Sequence, residues 1–282
     1  MKTTLLATTL VLFLSISARA DVSASGSPGD LPPAPKGFDT PRDNIEHGKI
    51  DTIEYDSKTV GSKRPLVIYT PPGYSKDKKY PVLYLLHGSG DDETGWLKKG
   101  SAAVILDNLY ADKKLVPMIV VMPNGFARKP GAEPAPAEKG RGRNNAFEDD
   151  LLHDIIPFVD SHYPAIADAE HRAIAGLSMG GGQALRIGLK HLDTFAWIGG
   201  FSSGLHGKQT GLIPDATAAR QLRLLWLSCG DQDRLMEASK SLHDSLDEQK
   251  IAHVWHIDSG KHEWPVWKND LYLFAPMLFR DK

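Results

Sequence analysis

The stretch His171-Arg172-Ala173-Ile174-Ala175-Gly176-Leu177-Ser178-Met179-Gly180-Gly181-Gly182 decides how this chain is read. A short apolar run, Ala173 to Ala175, enters Gly176-Leu177-Ser178-Met179-Gly180, and helical spacing follows from Gln183 to Lys190. Strand, sharp turn and helix in that order make G-x-S-x-G a nucleophile elbow, with a serine held at a strained turn. Only hydrogen at the flanking positions lets strand and helix come so close, which gives the glycines a steric task. Ser178 is therefore the candidate nucleophile. No Lys-Ser/Thr pair follows these glycines to make a phosphate-cradling loop, and G-x-G-x-x-G is absent, which argues against a dinucleotide fingerprint.

A lone G-x-S-x-G also arises by chance, so the rest of the chain has to supply an acid and a histidine in the right order. The chain has 282 residues, 41% of them hydrophobic, and a formal net charge of -2. That balance lacks the basic footprint of a nucleic-acid binder. Met1 to Ala20 combines Lys2, an apolar run from Leu5 to Ile16 and the small-x-small site Ala18-Arg19-Ala20, the pattern of a secretory signal peptide. The run is too short for a stable bilayer span, and no cysteine follows the cleavage site, so an exported protein without a membrane anchor is expected, periplasmic or extracellular. Cys229, the single cysteine, closes an apolar run and reads as a buried, inert strand thiol.

Residues 21–47 read as a flexible linker and lead-in, Asp21 to Lys36 being rich in Ser, Gly, Ala and Pro. One domain, residues 48–282, is expected to follow. Ile50 to Tyr55 and Leu66 to Thr70 have strand composition and flank Gly61-Ser62-Lys63-Arg64, the pattern of an antiparallel hairpin. Further strands are predicted at Tyr80 to His87, Pro117 to Met122, Phe195 to Phe201, Arg223 to Cys229 and Ala252 to Ile257. Helical spacing occupies Ala102 to Tyr110, Phe147 to Tyr163, Leu235 to Lys250 and most of Trp264 to Phe279. Such alternation predicts an α/β fold: a mostly parallel central sheet with helices on both faces, and catalytic groups at the carboxyl ends of strands. Ala127 to Asn145, dense in Pro, Gly and basic residues, reads as a solvated loop, and Ser202 to Thr217 as a polar loop.

In α/β-hydrolases the acid and then the histidine follow the serine. Of the histidines beyond Cys229, His243 lies in a helical pattern, and His253 and His256 lie within a strand pattern. His262 instead occupies Ser259-Gly260-Lys261-His262-Glu263, a loop directly after the last strand, where an imidazole can reach the serine and serve as general base and then general acid. Cys229-Gly230-Asp231-Gln232-Asp233 supplies two candidate acids after the preceding strand. Two acids so spaced could be half a calcium loop, but the remainder of that spacing is missing, so no metal is expected. No cofactor motif is present either. An oxyanion hole would draw one N–H from Met179 and a second from His87-Gly88-Ser89-Gly90, with Ser89 the candidate donor. His87 could brace that loop or touch substrate.

Tyr69-Thr70-Pro71-Pro72-Gly73-Tyr74, Tyr80 to Gly88, Gly176 to Gly181 and His262-Glu263-Trp264-Pro265-Val266-Trp267 together resemble the esterase D-type carbohydrate esterases, the bacterial feruloyl and acetylxylan esterases of α/β-hydrolase fold. The resemblance runs from about Gly48 to the end and implies a three-layer sandwich and a serine esterase. In feruloyl members the acid lies in a Gly-x-x-Asp turn, which selects Asp233. The likeness further implies a small ester or a feruloylated or acetylated oligosaccharide as substrate. Met179, Trp96, Trp264 and Trp267, with Gly88, are the candidate residues around an apolar acyl pocket suited to a phenolic ring. Release of hydroxycinnamic acids from plant cell-wall polysaccharides is the expected reaction, with acetylxylan esterase and acyl transfer to a sugar as the alternatives.

Overall fold

The computed structural model describes residues 31–128, 145–205 and 221–280. The signal-like segment, most of the Ala127 to Asn145 loop and the Ser202 to Thr217 loop beyond Leu205 lie outside the described residues. Apolar runs bounded by Gly and Pro become strands β1 Lys49–Ser57, β2 Ser62–Thr70, β3 Val82–Leu86, β4 Ile119–Pro123, β5 Arg172–Leu177, β6 Trp197–Phe201, β7 Leu224–Gly230 and β8 Val254–Asp258. They form one sheet in the order β1-β2-β4-β3-β5-β6-β7-β8. β1 and β4 each pair antiparallel with β2, and every other pairing is parallel. The hairpin turn is tighter than expected: Ser57 pairs with Ser62, so Ser62 to Arg64 belong to β2 and only Lys58 to Gly61 turn, with Gly61 at a φ of 80°.

Alternating side chains divide the core between the two faces of the sheet. Leu66, Ile68, Tyr84 and Leu86 pack under α3 Asn145–Asp150, α4 Ile156–His162, α5 Met179–Lys190 and α6 Met236–Glu248. Val67, Tyr69, Leu83 and Leu85 pack under α1 Gly95–Lys98, α2 Ala102–Ala111 and α7 Trp264–Phe274. This is the predicted three-layer sandwich, and truncating a fully buried leucine such as Leu85 to alanine would cost about 2–5 kcal/mol. No described helix is long and apolar enough to cross a membrane.

Three expectations are corrected. Phe147 to Tyr163 is not one regular helix, because α3 passes through a π turn, Leu151–Ile155, before α4 begins. Pro157 has no N–H to donate to the preceding turn and its ring crowds that turn's carbonyl, and the widened π turn accommodates it. Residues 31–47, read as linker and lead-in, lie against the domain: Asn108 donates to the Phe38 and Thr40 carbonyls, and Lys268 pairs with Asp39 at 2.9 Å. Buried Asp107 accepts from Gly48 N–H at 2.9 Å and Tyr69 O–H at 2.7 Å, fixing the point where this segment enters β1. The strand patterns at 195–201 and 252–257 also begin two residues later than predicted, since Phe195, Ala196, Ala252 and His253 precede β6 and β8.

Register brings the loops of interest together. β3 and β5 are level at Leu86 and Gly176, so His87-Gly88 and Leu177-Ser178 emerge side by side. β7 and β8 are level at Gly230 and Asp258, so the Asp231-Gln232-Asp233 turn lies beside the Ser259 to His262 loop. The chain steps from β3 to β4 on one side and to β5 on the other, the crevice where ligands of such sheets bind.

Candidate active site

Ser178 joins β5 to α5 with φ 52° and ψ -115°, a conformation that costs a non-glycine residue about 1–3 kcal/mol and is held here by its surroundings. Its N–H donates to the Phe201 carbonyl at 2.8 Å, and its own carbonyl accepts from Gly182 N–H at 3.0 Å. The flanking glycines are required by contact: a Cβ on Gly180 would lie 2.4 Å from the His87 carbonyl oxygen, and one on Gly176 would lie 2.7 Å from the Gly180 backbone.

The Ser178 hydroxyl lies 2.8 Å from His262 Nε2. On the other side of the imidazole, Nδ1 lies 2.9 and 3.0 Å from the two Asp233 carboxylate oxygens. A carboxylate only accepts, so Nδ1 carries the proton and Nε2 is left to accept from Ser178. The Asp233 side chain is fully buried while Ser178 and His262 are part-exposed, so a solvent-facing hydroxyl is backed by a carboxyl group shielded from water. Asp233 also accepts from Leu235 N–H at 2.8 Å. Ser178, His262 and Asp233 thus form one hydrogen-bonded line, able to raise the nucleophilicity of a hydroxyl and to stabilise an imidazolium.

Asp231 turns the other way. It is exposed and its carboxylate accepts from Gly260 N–H at 2.9 Å, tying the acid turn to the histidine loop. Trp267 braces the same loop, its ring edge-on to the His262 ring at 4.9 Å.

The expected oxyanion loop lies against Ser178, a Cβ on Gly88 falling 2.5 Å from the Leu177 side chain and 3.5 Å from Ser178 Cβ. Met179, the first residue of α5, has no intrahelical acceptor for its N–H. Ser89 is exposed, and among the described residues no hydrogen bond takes up its N–H. His87 braces this loop from inside. Its Nε2 accepts from Gly125 N–H at 3.0 Å, so Nδ1 bears the proton and donates to the Gly88 carbonyl at 2.8 Å. Gln183 holds Gly125 from the other side, donating to its carbonyl at 3.1 Å. No local sequence signal marks Gly125 and Gln183, which join the site only through contacts distant along the chain. Phe126, beside them, is an exposed aromatic 5.5 Å from the His87 ring.

Burial holds the His87 imidazole below its ordinary pKa, so it is neutral in the fold. In the unfolded chain it takes a proton near pH 6.5. The stability it contributes is therefore complete above that value and lost as pH falls through the lower folded one. His87→Gln is expected to lower kcat about tenfold to a hundredfold, less than removing an oxyanion donor outright. Its deficit in thermal midpoint relative to wild type narrows between pH 7 and 5, as parallel melts of the two proteins will show.

The tryptophans are corrected in part. Trp96 is 1% exposed, its indole N–H donating to the Leu86 carbonyl, and Trp267 is 6% exposed. Neither offers a free face to a ligand. Trp264 alone of the three is half-buried, resting edge-on against Trp96 and Trp267, each at 5.3 Å.

The Esterase family model matches residues 57–275, a span that takes in every residue of this line and its bracing. The chain belongs to the Esterase family. The chain is 32% identical over 259 residues to an endo-1,4-beta-xylanase/feruloyl esterase of Xylanibacter ruminicola, covering 89% of this chain and 34% of the relative. It matches 13% of the endo-1,4-beta-xylanase Y of Acetivibrio thermocellus, so it spans only 34% and 13% of these two relatives' lengths. It is also 26% identical to an acetyl esterase of Caldicellulosiruptor saccharolyticus, covering 77% of this chain and 93% of that one. Among solved structures, a CE1 ferulic acid esterase of Anaeromyces mucronatus in complex with ferulic acid superposes with a TM-score of 0.80 at 26% identity, covering 88% of this chain and 96% of that one.

Proposed function

We propose that this esterase is a serine carboxylic-ester hydrolase that releases hydroxycinnamic acids, ferulate foremost, from esters of plant cell-wall sugars. The observation that carries the esterase chemistry is the line from Ser178 Oγ through His262 to buried Asp233. Ser178 Oγ attacks the ester carbonyl as His262 Nε2 takes its proton. The N–H groups of Met179 and Ser89 receive the developing oxyanion. His262 returns the proton to the departing sugar hydroxyl, leaving an acyl ester on Ser178. Water, deprotonated by the same imidazole, then attacks that ester and frees the acid and the serine.

The feruloyl substrate is supported by the relatives named for that activity and by the half-exposed Trp264 face. Release of ferulate from methyl ferulate and from feruloylated arabinoxylan fragments is the test, run beside acetylated xylan. Trp264→Ala is expected to raise KM for methyl ferulate about three- to tenfold, the worth of one aromatic contact, and to leave KM for p-nitrophenyl acetate near wild type. Cleavage of acetylated xylan without ferulate release would favour acetyl esters, the reading that the Caldicellulosiruptor acetyl esterase supports. The signal-like Met1 to Ala20 segment supports a place outside the cytoplasm, where such polysaccharides are met.

A further inference from the structure

We propose that His243, Asp247 and His253 form a binding site for a divalent cation of the zinc class, separate from the catalytic line. His243 and Asp247 are one helical turn apart on α6 and share a face. After α6 the chain reverses at Lys250, whose φ is 56°, and Ile251 N–H closes the turn on the Leu246 carbonyl at 2.9 Å. The reversal lays His253 back against α6, where its side chain is 3% exposed.

Proton accounting shows what that arrangement can hold. His253 Nδ1 lies 2.8 Å from the Ile251 carbonyl, which only accepts, so Nδ1 bears the proton and Nε2 presents a lone pair. A backbone carbonyl fixing the tautomer of an imidazole in this way is what metal-binding histidines ordinarily have behind them. That Nε2 accepts from His243 Nδ1–H at 2.7 Å, which leaves His243 Nε2 as that ring's lone pair, and lies 3.9 Å from an Asp247 oxygen. His243 Nε2 is 3.7 Å from the other Asp247 oxygen. One ligand atom from each residue can be chosen with all three within 4.8 Å of one another. In a tetrahedral zinc site, bonds of about 2.0–2.1 Å set ligand atoms roughly 3.3 Å apart, so small movements of these side chains complete it.

The ring of His243 stacks on Trp255 at 5.1 Å and 10°, which holds its plane. Lys240, the adjacent cation on α6, is paired with Asp244 at 2.7 Å. Two imidazoles and one carboxylate select a borderline ion over calcium or magnesium, and leave a fourth position for water. A bound ion would clamp α6 to the entry of β8, the strand whose far end carries the His262 loop.

The test is calorimetric titration of ZnCl2 into the EDTA-treated full chain, with CaCl2 as control and thermal unfolding in parallel. One zinc per chain and a saturable rise in thermal midpoint that calcium does not give are expected. His243→Phe, which keeps a ring on Trp255, and Asp247→Asn, at an exposed position, should each weaken zinc about tenfold or more. Far-UV circular dichroism and metal-free hydrolysis of p-nitrophenyl acetate should stay as in wild type. Absence of saturable zinc binding, a calcium response equal to that of zinc, or wild-type affinity in either folded variant would overturn the site.

Discussion

Replacing Ser178 with alanine is expected to lower kcat by about four to six orders of magnitude, and His262→Ala by nearly as much. The two side chains act as one unit: the hydroxyl becomes a nucleophile only as Nε2, 2.8 Å away, takes its proton. The double variant should therefore be scarcely slower than either single one, where independent contributions would multiply. Alanine keeps the unusual backbone angles of position 178 and removes no core packing, so thermal midpoints should stay close to wild type. Steady-state kinetics on p-nitrophenyl acetate, with the variants purified in parallel, measure the non-additivity.

The second large effect separates the two acids. Asp233→Asn is expected to cost about 10⁴ in kcat, because an amide at this position no longer enforces the Nδ1–H tautomer or stabilises the imidazolium. Asp231→Asn should stay within about tenfold of wild type, since that carboxylate is exposed and its bond goes to Gly260 N–H and not to the imidazole. The measurement is kcat for both variants at pH 7. A larger loss at Asp231 would transfer the role to that residue and contradict the hydrogen bonds drawn from Asp233.

What could be read in the sequence follows from how local each cause is. The elbow was legible because its glycines answer a clash within a few residues, Gly176 against Gly180, inside one strand-turn-helix unit. His262 was legible from its place after the last strand. Choosing Asp233 over Asp231 needed the family likeness. Spacing alone does not say which carboxylate points inward, a matter settled by the turn in which Asp233 N–H bonds the Gly230 carbonyl.

Less local causes escaped. The burial of Trp96 and Trp267 depends on which face of each helix meets the sheet, and the bracing of His87 by Gly125 joins residues 38 apart in the chain. The docking of residues 31–47 escaped for a similar reason: a Pro-rich, aperiodic segment reads as linker, yet its carbonyls and Phe38 find partners on α2 and α7. The π turn was available in principle, since Pro157 stands in the middle of the helical pattern.

The central claim is that ester hydrolysis passes through Ser178, and titration with an aryl fluorophosphonate tests it most directly. Methyl ferulate turnover is followed against the extent of labelling, and the modified residue is identified by peptide mass spectrometry. One phosphonyl group per chain, carried on Ser178, should abolish turnover in proportion to its occupancy, and the Ser178→Ala chain should take up none. Undiminished turnover by a chain fully labelled at Ser178, or loss of turnover that tracks labelling of a different residue, would contradict it.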